Sequence, residues 1–177
     1  MKKFRTSFAN IDKLTINDIK NLQKIINDAY KIGEGDLWVE SAQRISFDEL
    51  KDSIKQNKII IAQNGNTIVG SIKVTEFSKD VAEFGMLATD LNYRGLGIGN
   101  KLVDAAENWA RDNHFKTMRL ELLTPKYYIN ESKEKLKKWY TKHGYKHFCL
   151  EPFENLFPHT CHLLAVECDF NVYHKTL

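Results

Sequence analysis

The feature that most narrows what this chain can fold into is the run Asn92-Tyr93-Arg94-Gly95-Leu96-Gly97-Ile98-Gly99-Asn100-Lys101. It lies between a strand-like stretch, Val81 to Thr89, and a helix-like stretch, Ile98 to Asn113. Three alternating glycines leave the backbone bare, so several N–H groups can point into one concavity. A helix that starts there adds unpaired N–H groups and about half a positive charge of dipole. Strand, glycine turn and helix N-terminus together form an anion site suited to phosphate or pyrophosphate. The alternative is a turn that binds nothing. Three glycines would then cost such a turn roughly 0.5–1 kcal/mol each against alanine in unneeded chain entropy.

Spacing sorts the known phosphate loops. A Walker A loop read from Gly95 meets Asn100 and Leu102 where Gly and Ser/Thr are required, and it fails. A Rossmann loop read from Gly95 or Gly97 ends on Asn100 or Leu102 and fails as well. The pattern present is Arg-Gly-x-Gly-x-Gly, opened by Arg94.

The rest of the chain reads as one α/β unit over residues 1–177 with a mixed sheet. Phe4 to Ala9 is a short strand. Thr15 with Asp18 caps a helix whose stripe is Ile16, Ile19, Leu22, Ile25, Ile26 and Ala29, ending near Tyr30. Gly33 to Asp36 is a break, and Leu37-Trp38-Val39 is too apolar for a mere linker. Ser46 with Glu49 caps a second helix, Phe47 to Gln56. Strands Lys58 to Gln63 and Thr67 to Phe77 flank an Asn64-Gly65 hairpin, and Val81 to Thr89 continues the meander. The central helix buries Ile98, Leu102, Ala105, Ala106, Trp109 and Ala110. A strand from Thr117 to Leu123 completes a crossover, so it runs parallel to the strand before the glycines. A helix from about Glu131 to His143 stops at Gly144. Strands near Tyr145 to Leu150 and Thr160 to Cys168 close the chain.

Composition excludes several classes. A net charge of +3 with no basic stripe argues against nucleic acid as a partner. No apolar run of about 18 residues supports a membrane span, and Met1 to Thr6 has no apolar stretch behind its basic residues to make a secretory signal. Cys149, Cys161 and Cys168 are an odd count without disulfide density, which fits a reducing, cytoplasmic setting. His143, His147, His159 and His162 crowd near these cysteines without paired zinc spacing, so no metal is expected.

Arg94, Gly97 and Gly99 match the Gln/Arg-x-x-Gly-x-Gly/Ala motif, and the chain resembles the GCN5-related N-acetyltransferase (GNAT) family. The resemblance extends to the order of elements over nearly the whole chain. It implies a mixed, mostly antiparallel sheet flanked by about four helices, with a central parallel βαβ crossover. It implies acetyl-CoA as cofactor, its pyrophosphate held by backbone groups of Arg94, Gly95, Leu96, Gly97, Ile98, Gly99 and Asn100. Met86, Leu87, Ala88 and Thr89 would supply backbone groups to the pantetheine arm and the thioester oxygen.

A second stretch, Leu136 to Tyr145, resembles the family's Ala-x-x-x-Tyr-x-x-x-Gly-Phe/Tyr helix end, which carries the general acid over to Tyr140. A phenol with an ordinary pKa of about 10 stays protonated at neutral pH; the plain alternative is a packing residue beside Trp139. Many members carry Asn where this chain has Lys133. The amine acceptor must lose a proton, and Glu83 is the candidate base. Alternation would place it on one face with Gly85, Leu87 and Thr89. The alternatives are an edge-strand solvating charge at Glu83, Glu121 as base, or a water chain; Val81, where some members carry the base, cannot serve.

The loops flanking the acceptor would be Gly33 to Ile45 and Glu151 to His159. From them Glu34, Trp38, Arg44 and Phe157 are the candidate substrate contacts, acids near an aromatic ring suiting a cationic amine. The expected function is direct transfer of acetyl from acetyl-CoA to a small-molecule or peptide amine, by a monomer or homodimer. The alternative is a non-catalytic acyl-CoA-binding module.

Overall fold

The computed structural model describes residues 4–177. Seven strands form one sheet in the order β1-β2-β3-β4-β5-β7-β6. They are β1 (Phe4–Phe8), β2 (Ile59–Asn64), β3 (Thr67–Ser78), β4 (Val81–Thr89), β5 (Thr117–Pro125), β6 (Lys146–Pro152) and β7 (Cys168–Thr176). Every neighbouring pair is antiparallel except β4 and β5. The helices are α1 (Ile16–Glu34), α2 (Phe47–Lys55), α3 (Ile98–Asp112), α4 (Glu131–Lys142) and the single turn α5 (Phe153–Leu156). The mixed, mostly antiparallel sheet with one parallel crossover is the architecture the sequence implied.

Local chemistry sets the helix starts. Thr15 Oγ1 accepts from the Asp18 amide while Asp18 accepts from the Thr15 amide, and Ser46 with Glu49 repeats the device. The Asn64-Gly65 turn forms, with Gly65 at φ 61°. α1 and α2 cover one face through Ile19, Leu22, Ile26, Leu50 and Ile54 on Ile59, Ile61 and Ile68. α3 and α4 cover the other, where Leu102, Val103 and Ala106 meet Ile72, Val74, Met118 and Leu120. Gly70 makes the α3 contact possible, since a Cβ there would lie 2.7 Å from the Ala88 carbonyl oxygen and 3.2 Å from Ile98 Cγ2.

Four expectations are corrected. α1 runs on through Gly33 to Glu34, because the Glu34 carboxylate finds partners at the buried helix end. The last strand is Cys168–Thr176, not Thr160 to Cys168; Pro158–Leu163 is a 3-10 helix with Pro158 in its first turn. The alternation that defines a strand, with Cys168, Phe170 and Val172 buried, begins only where the sequence reading stopped. On α3, Val103 and Glu107 are buried and Ala105 and Trp109 only partly so. Finally, Glu83 and Gly85 do not share a face with Leu87 and Thr89. Pairing with β3 skips from Gly85↔Lys73 to Ala88↔Ser71, a bulge centred on Met86 at φ 48°. Ala82 and Phe84 therefore face α3 and α4, whereas Met86 and Ala88 face α1 and α2.

Candidate active site

The glycine run leaves the C-terminal end of β4 through a 3-10 turn, Leu91–Tyr93, which Asp90 caps by accepting the Asn92 amide at 2.8 Å. Gly95 and Gly97 then take φ of 76° and 77°, the left-handed region that glycine enters without strain. Gly97 is the N-cap of α3, and no side chain among the described residues caps this helix. The first-turn amides of α3 thus keep their orphan donors, and the space beside the glycines is open: a Cβ on Gly95 or Gly97 would meet no atom of the described residues within 4 Å. Arg94 and Asn100 are exposed at either end of the run. The ring of Trp139 on α4 lies 3.6 Å from where a Gly99 Cβ would be, so α4 borders the same concavity.

Beside this loop the sheet opens. β4 and β5 are paired for only three rungs, Val81↔Thr117, Ala82↔Met118 and Glu83↔Arg119. Beyond Glu83, the edge of β4 that faces β5 has no strand partner among the described residues, and within it the Met86 main chain is hydrogen-bonded to the Tyr30 hydroxyl. The Met86 bulge lies within that free edge.

The candidate catalytic side chains flank the opening. Tyr140 is buried on α4, and its ring packs on Phe84 (centroids 6.0 Å apart), Trp139 (5.0 Å) and Tyr145 (6.0 Å). Burial, with lesser contributions from Tyr30 and the Glu34 carboxylate, pushes the Tyr140 phenol above its ordinary range. Tyr30 on α1 is likewise raised by burial and lies beside the Met86 main chain. Glu83 stands where β4 and β5 part. Its Oε2 accepts from Arg119, which also pairs with Glu121 at 2.6 Å. Arg119 is buried, under the ring of Phe77 at 4.2 Å.

The candidate substrate residues converge only in part. Glu34 and Trp38 meet: the indole N–H donates to Glu34 Oε2 at 2.9 Å, and Lys133 Nζ donates to Oε1. Both Glu34 and Lys133 are buried, so this ion pair fills the position on α4 where the family motif has Asn. Trp38 stacks edge-on to Phe153 (5.8 Å), and Phe157 joins it through Phe153 (5.7 Å) and Phe170 (5.5 Å). Arg44 lies apart from these, over the Tyr30 ring at 4.9 Å. Two neighbours of the opening escaped sequence reading. Tyr30 looked like the end of a helix, and Arg119 like one charge on the far face of a strand. No spacing rule connects Arg119 to Glu83, because their pairing is made across two strands. Among the described residues no group of three or more His, Cys, Asp or Glu is placed to hold a metal, and no helix is long and apolar enough to cross a membrane.

Comparison with curated proteins gives no match. Solved structures share this fold along almost the whole chain. PaiA N-acetyltransferase from Thermoplasma acidophilum, in complex with coenzyme A, is 18% identical with a TM-score of 0.70 over 99% of both chains. An N-acetyltransferase from Staphylococcus aureus Mu50 is 15% identical with a TM-score of 0.69 over 98% of both. Ribosomal-protein-alanine N-acetyltransferase from Brucella melitensis is 15% identical with a TM-score of 0.68 over 99% of both. At such identities the likeness is one of fold. Residues 55–147, more than half of the chain and including the glycine loop, the parting strands and Tyr140, match the acetyltransferase (GNAT) domain. The chain belongs to the GNAT acetyltransferase family.

Proposed function

We propose that this protein binds acetyl-CoA along the glycine loop and the free edge of β4, and transfers the acetyl group to an amine. The observation that carries the reading is a coincidence of two features in one strand. The uncapped N-terminus of α3 follows directly on the half of β4 that has lost its β5 partner. The residues fit the cofactor: donors of a helix N-terminus suit a pyrophosphate, and an unpaired strand edge suits the amides of a pantetheine arm. The N-acetyltransferases above, one of them solved with coenzyme A, support the same reading.

Bound acetyl-CoA would supply an acyl group activated as a thioester. Residues Gly95 to Asn100 hold the phosphates through main-chain N–H groups, with Arg94 adding positive charge. Amides of Met86 to Thr89 orient the acyl end and face the oxygen on which charge grows. Arg119 engages Oε2 of Glu83, which leaves Oε1 to take the proton the amine must lose before it attacks. Glu121, on the same guanidinium, is the alternative acceptor of that proton. Tyr140, kept in its phenol form by burial, gives its proton to the departing sulfur. Glu34, Trp38 and Phe157 border the acceptor side, with Arg44 apart from them over the Tyr30 ring.

Calorimetric titration with acetyl-CoA, CoA, ATP and NAD, on wild type and Gly97→Glu, tests the reading. Binding of acetyl-CoA in the micromolar range, abolished by the carboxylate of Gly97→Glu, is the expected result. No affinity for acetyl-CoA, or an equal preference for ATP or NAD, overturns it. A protein that binds acetyl-CoA yet releases no thiol with any amine would be a non-catalytic acyl-CoA-binding module.

A further inference from the structure

We infer that the amine acceptor is a small diffusible molecule and not a segment of another polypeptide, an inference that rests on the acetyl-transfer reading. The observation is a band of main chain across the acceptor side of the opening between β4 and β5. The segment after α1 and the segment before β7 pair with each other. Val39 N–H donates to the Leu163 carbonyl at 2.9 Å, Ala165 N–H donates to the Leu37 carbonyl at 2.9 Å, and Trp38 opposes Leu164 as an antiparallel bridge. Under this short ladder Leu37 is fully buried against the cluster of Leu123, Phe153 and Phe170.

The band is fastened at its other end too. Glu34 is held between Trp38 and Lys133. Asp36 accepts from the Tyr128 hydroxyl at 2.7 Å and from Asn130 Nδ2 at 3.2 Å. α1 packs on β3 and β4, whereas Tyr128 and Asn130 belong to the connection from β5 into α4 and Lys133 to the first turn of α4. The band therefore passes from one side of the opening to the other, and then on to the segment before β7.

An extended polypeptide bound across such a surface draws its affinity from main-chain hydrogen bonds to free edges. Here the two segments that border the acceptor side have their facing main-chain groups bonded to each other. Admitting a peptide between them would break two backbone hydrogen bonds and uncover Leu37. A small amine needs only a way past the band, and no edge to lie along. The same fastening explains why Glu34 and Trp38 are fixed by protein partners: they hold the band in place, and the acceptor meets its finished surface.

The test is calorimetry on the full chain with two conjugates of CoA. In each, an S-carboxymethyl arm is amide-linked to an acceptor, 1,4-diaminobutane in one and the α-amine of an octapeptide in the other, and free CoA is the reference. The diaminobutane conjugate is expected to bind at least as tightly as CoA, and the octapeptide conjugate about 10-fold or more weakly. In the double variant Val39→Pro with Ala165→Pro, which lacks both ladder donors, the octapeptide conjugate should regain most of that loss. If that variant fails to fold, the wild-type comparison decides alone. An octapeptide conjugate that binds wild type as tightly as CoA overturns the inference and leaves acetyl transfer standing. Absence of CoA binding overturns both.

Discussion

Arg119 on β5 and Glu83 on β4 form an ion pair on the last rung at which those two strands are joined. One buried guanidinium thus closes the base of the opening while holding two carboxylates, Glu83 and Glu121. Removing it leaves both without an ion-pair partner among the described residues. Arg119→Met should lower stability by roughly 2–4 kcal/mol, less than a fully buried pair because Glu83 is part exposed. Urea unfolding measures the loss. Glu83→Gln keeps the hydrogen bond to Arg119 and should leave stability within about 1 kcal/mol, while reducing kcat by about 10²-fold or more. Unchanged kcat in that variant would pass the proton to Glu121 or to water.

Tyr140→Phe preserves the ring contacts with Phe84, Trp139 and Tyr145 and deletes only the hydroxyl. Thiol release should slow by about 10²-fold with the affinity for acetyl-CoA unchanged. Because burial moves the phenol above its ordinary value of about 10, the wild-type rate should show no decline attributable to Tyr140 up to that pH. A decline below pH about 9 that vanishes in Tyr140→Phe would contradict this assignment.

Glu107 on α3 is buried, accepting from the Tyr145 hydroxyl at 2.9 Å and from Lys175 Nζ at 2.7 Å. The phenol comes from the residue just before β6 and the ammonium from β7, so this carboxylate fastens the far strands to the central helix. Tyr145→Phe withdraws one donor from a charged acceptor and should lower stability by roughly 1.5–3 kcal/mol, read by thermal or urea unfolding. Acetyl-CoA affinity should not change, since the glycine loop lies at the opposite end of α3.

His174 supplies a pH dependence. Its Nε2 is buried without a hydrogen-bond partner among the described residues, and its ring stacks on Phe148 at 4.1 Å. Desolvation first, and then the Arg119 charge, hold its pKa below the ordinary value. The folded protein thus keeps His174 neutral at a pH where the unfolded chain, at about 6.5, already takes up a proton. Its contribution is fully present above that value and is lost as pH falls below it and through the lower folded pKa. Between pH about 7 and 5 the stability of wild type should fall more steeply than that of His174→Phe. Equal slopes would show that the ring is solvated in the folded state.

What was legible in the sequence was local or periodic. The boxes at Thr15 and Ser46, the Asn64-Gly65 turn and the Gly95 to Gly99 run each contain their own partners within a few residues. The Met86 bulge left no trace, because β4 is buried on both faces. Ala82, Phe84, Met86 and Ala88 are apolar on either side of the phase change, so the pattern carries no phase. The last strand was displaced for a related reason. Thr160 to Leu164 has enough β-branched and apolar residues to read as extended, and only the Trp38–Leu164 bridge and Pro158 show it to be a covering segment. Arg119 with Glu83, and Lys133 with Glu34, are separated by 36 and 99 residues, and their pairing depends wholly on the assembled sheet and helices.

The bulge at Met86 also says where this chain can change length. The hairpin turns can gain or lose residues at the surface. Within Gly85 to Leu87 a single deletion would restore unbroken pairing with β3 and leave Ala88 opposite Ser71, still on the α1 side. Ironing the bulge out with every residue kept would instead set Leu87 opposite Ser71 and turn Ala88 over, away from α1. One surplus residue in a strand is thus a slack link, and taking it up changes the path toward Gly95 without changing the side from which the chain leaves.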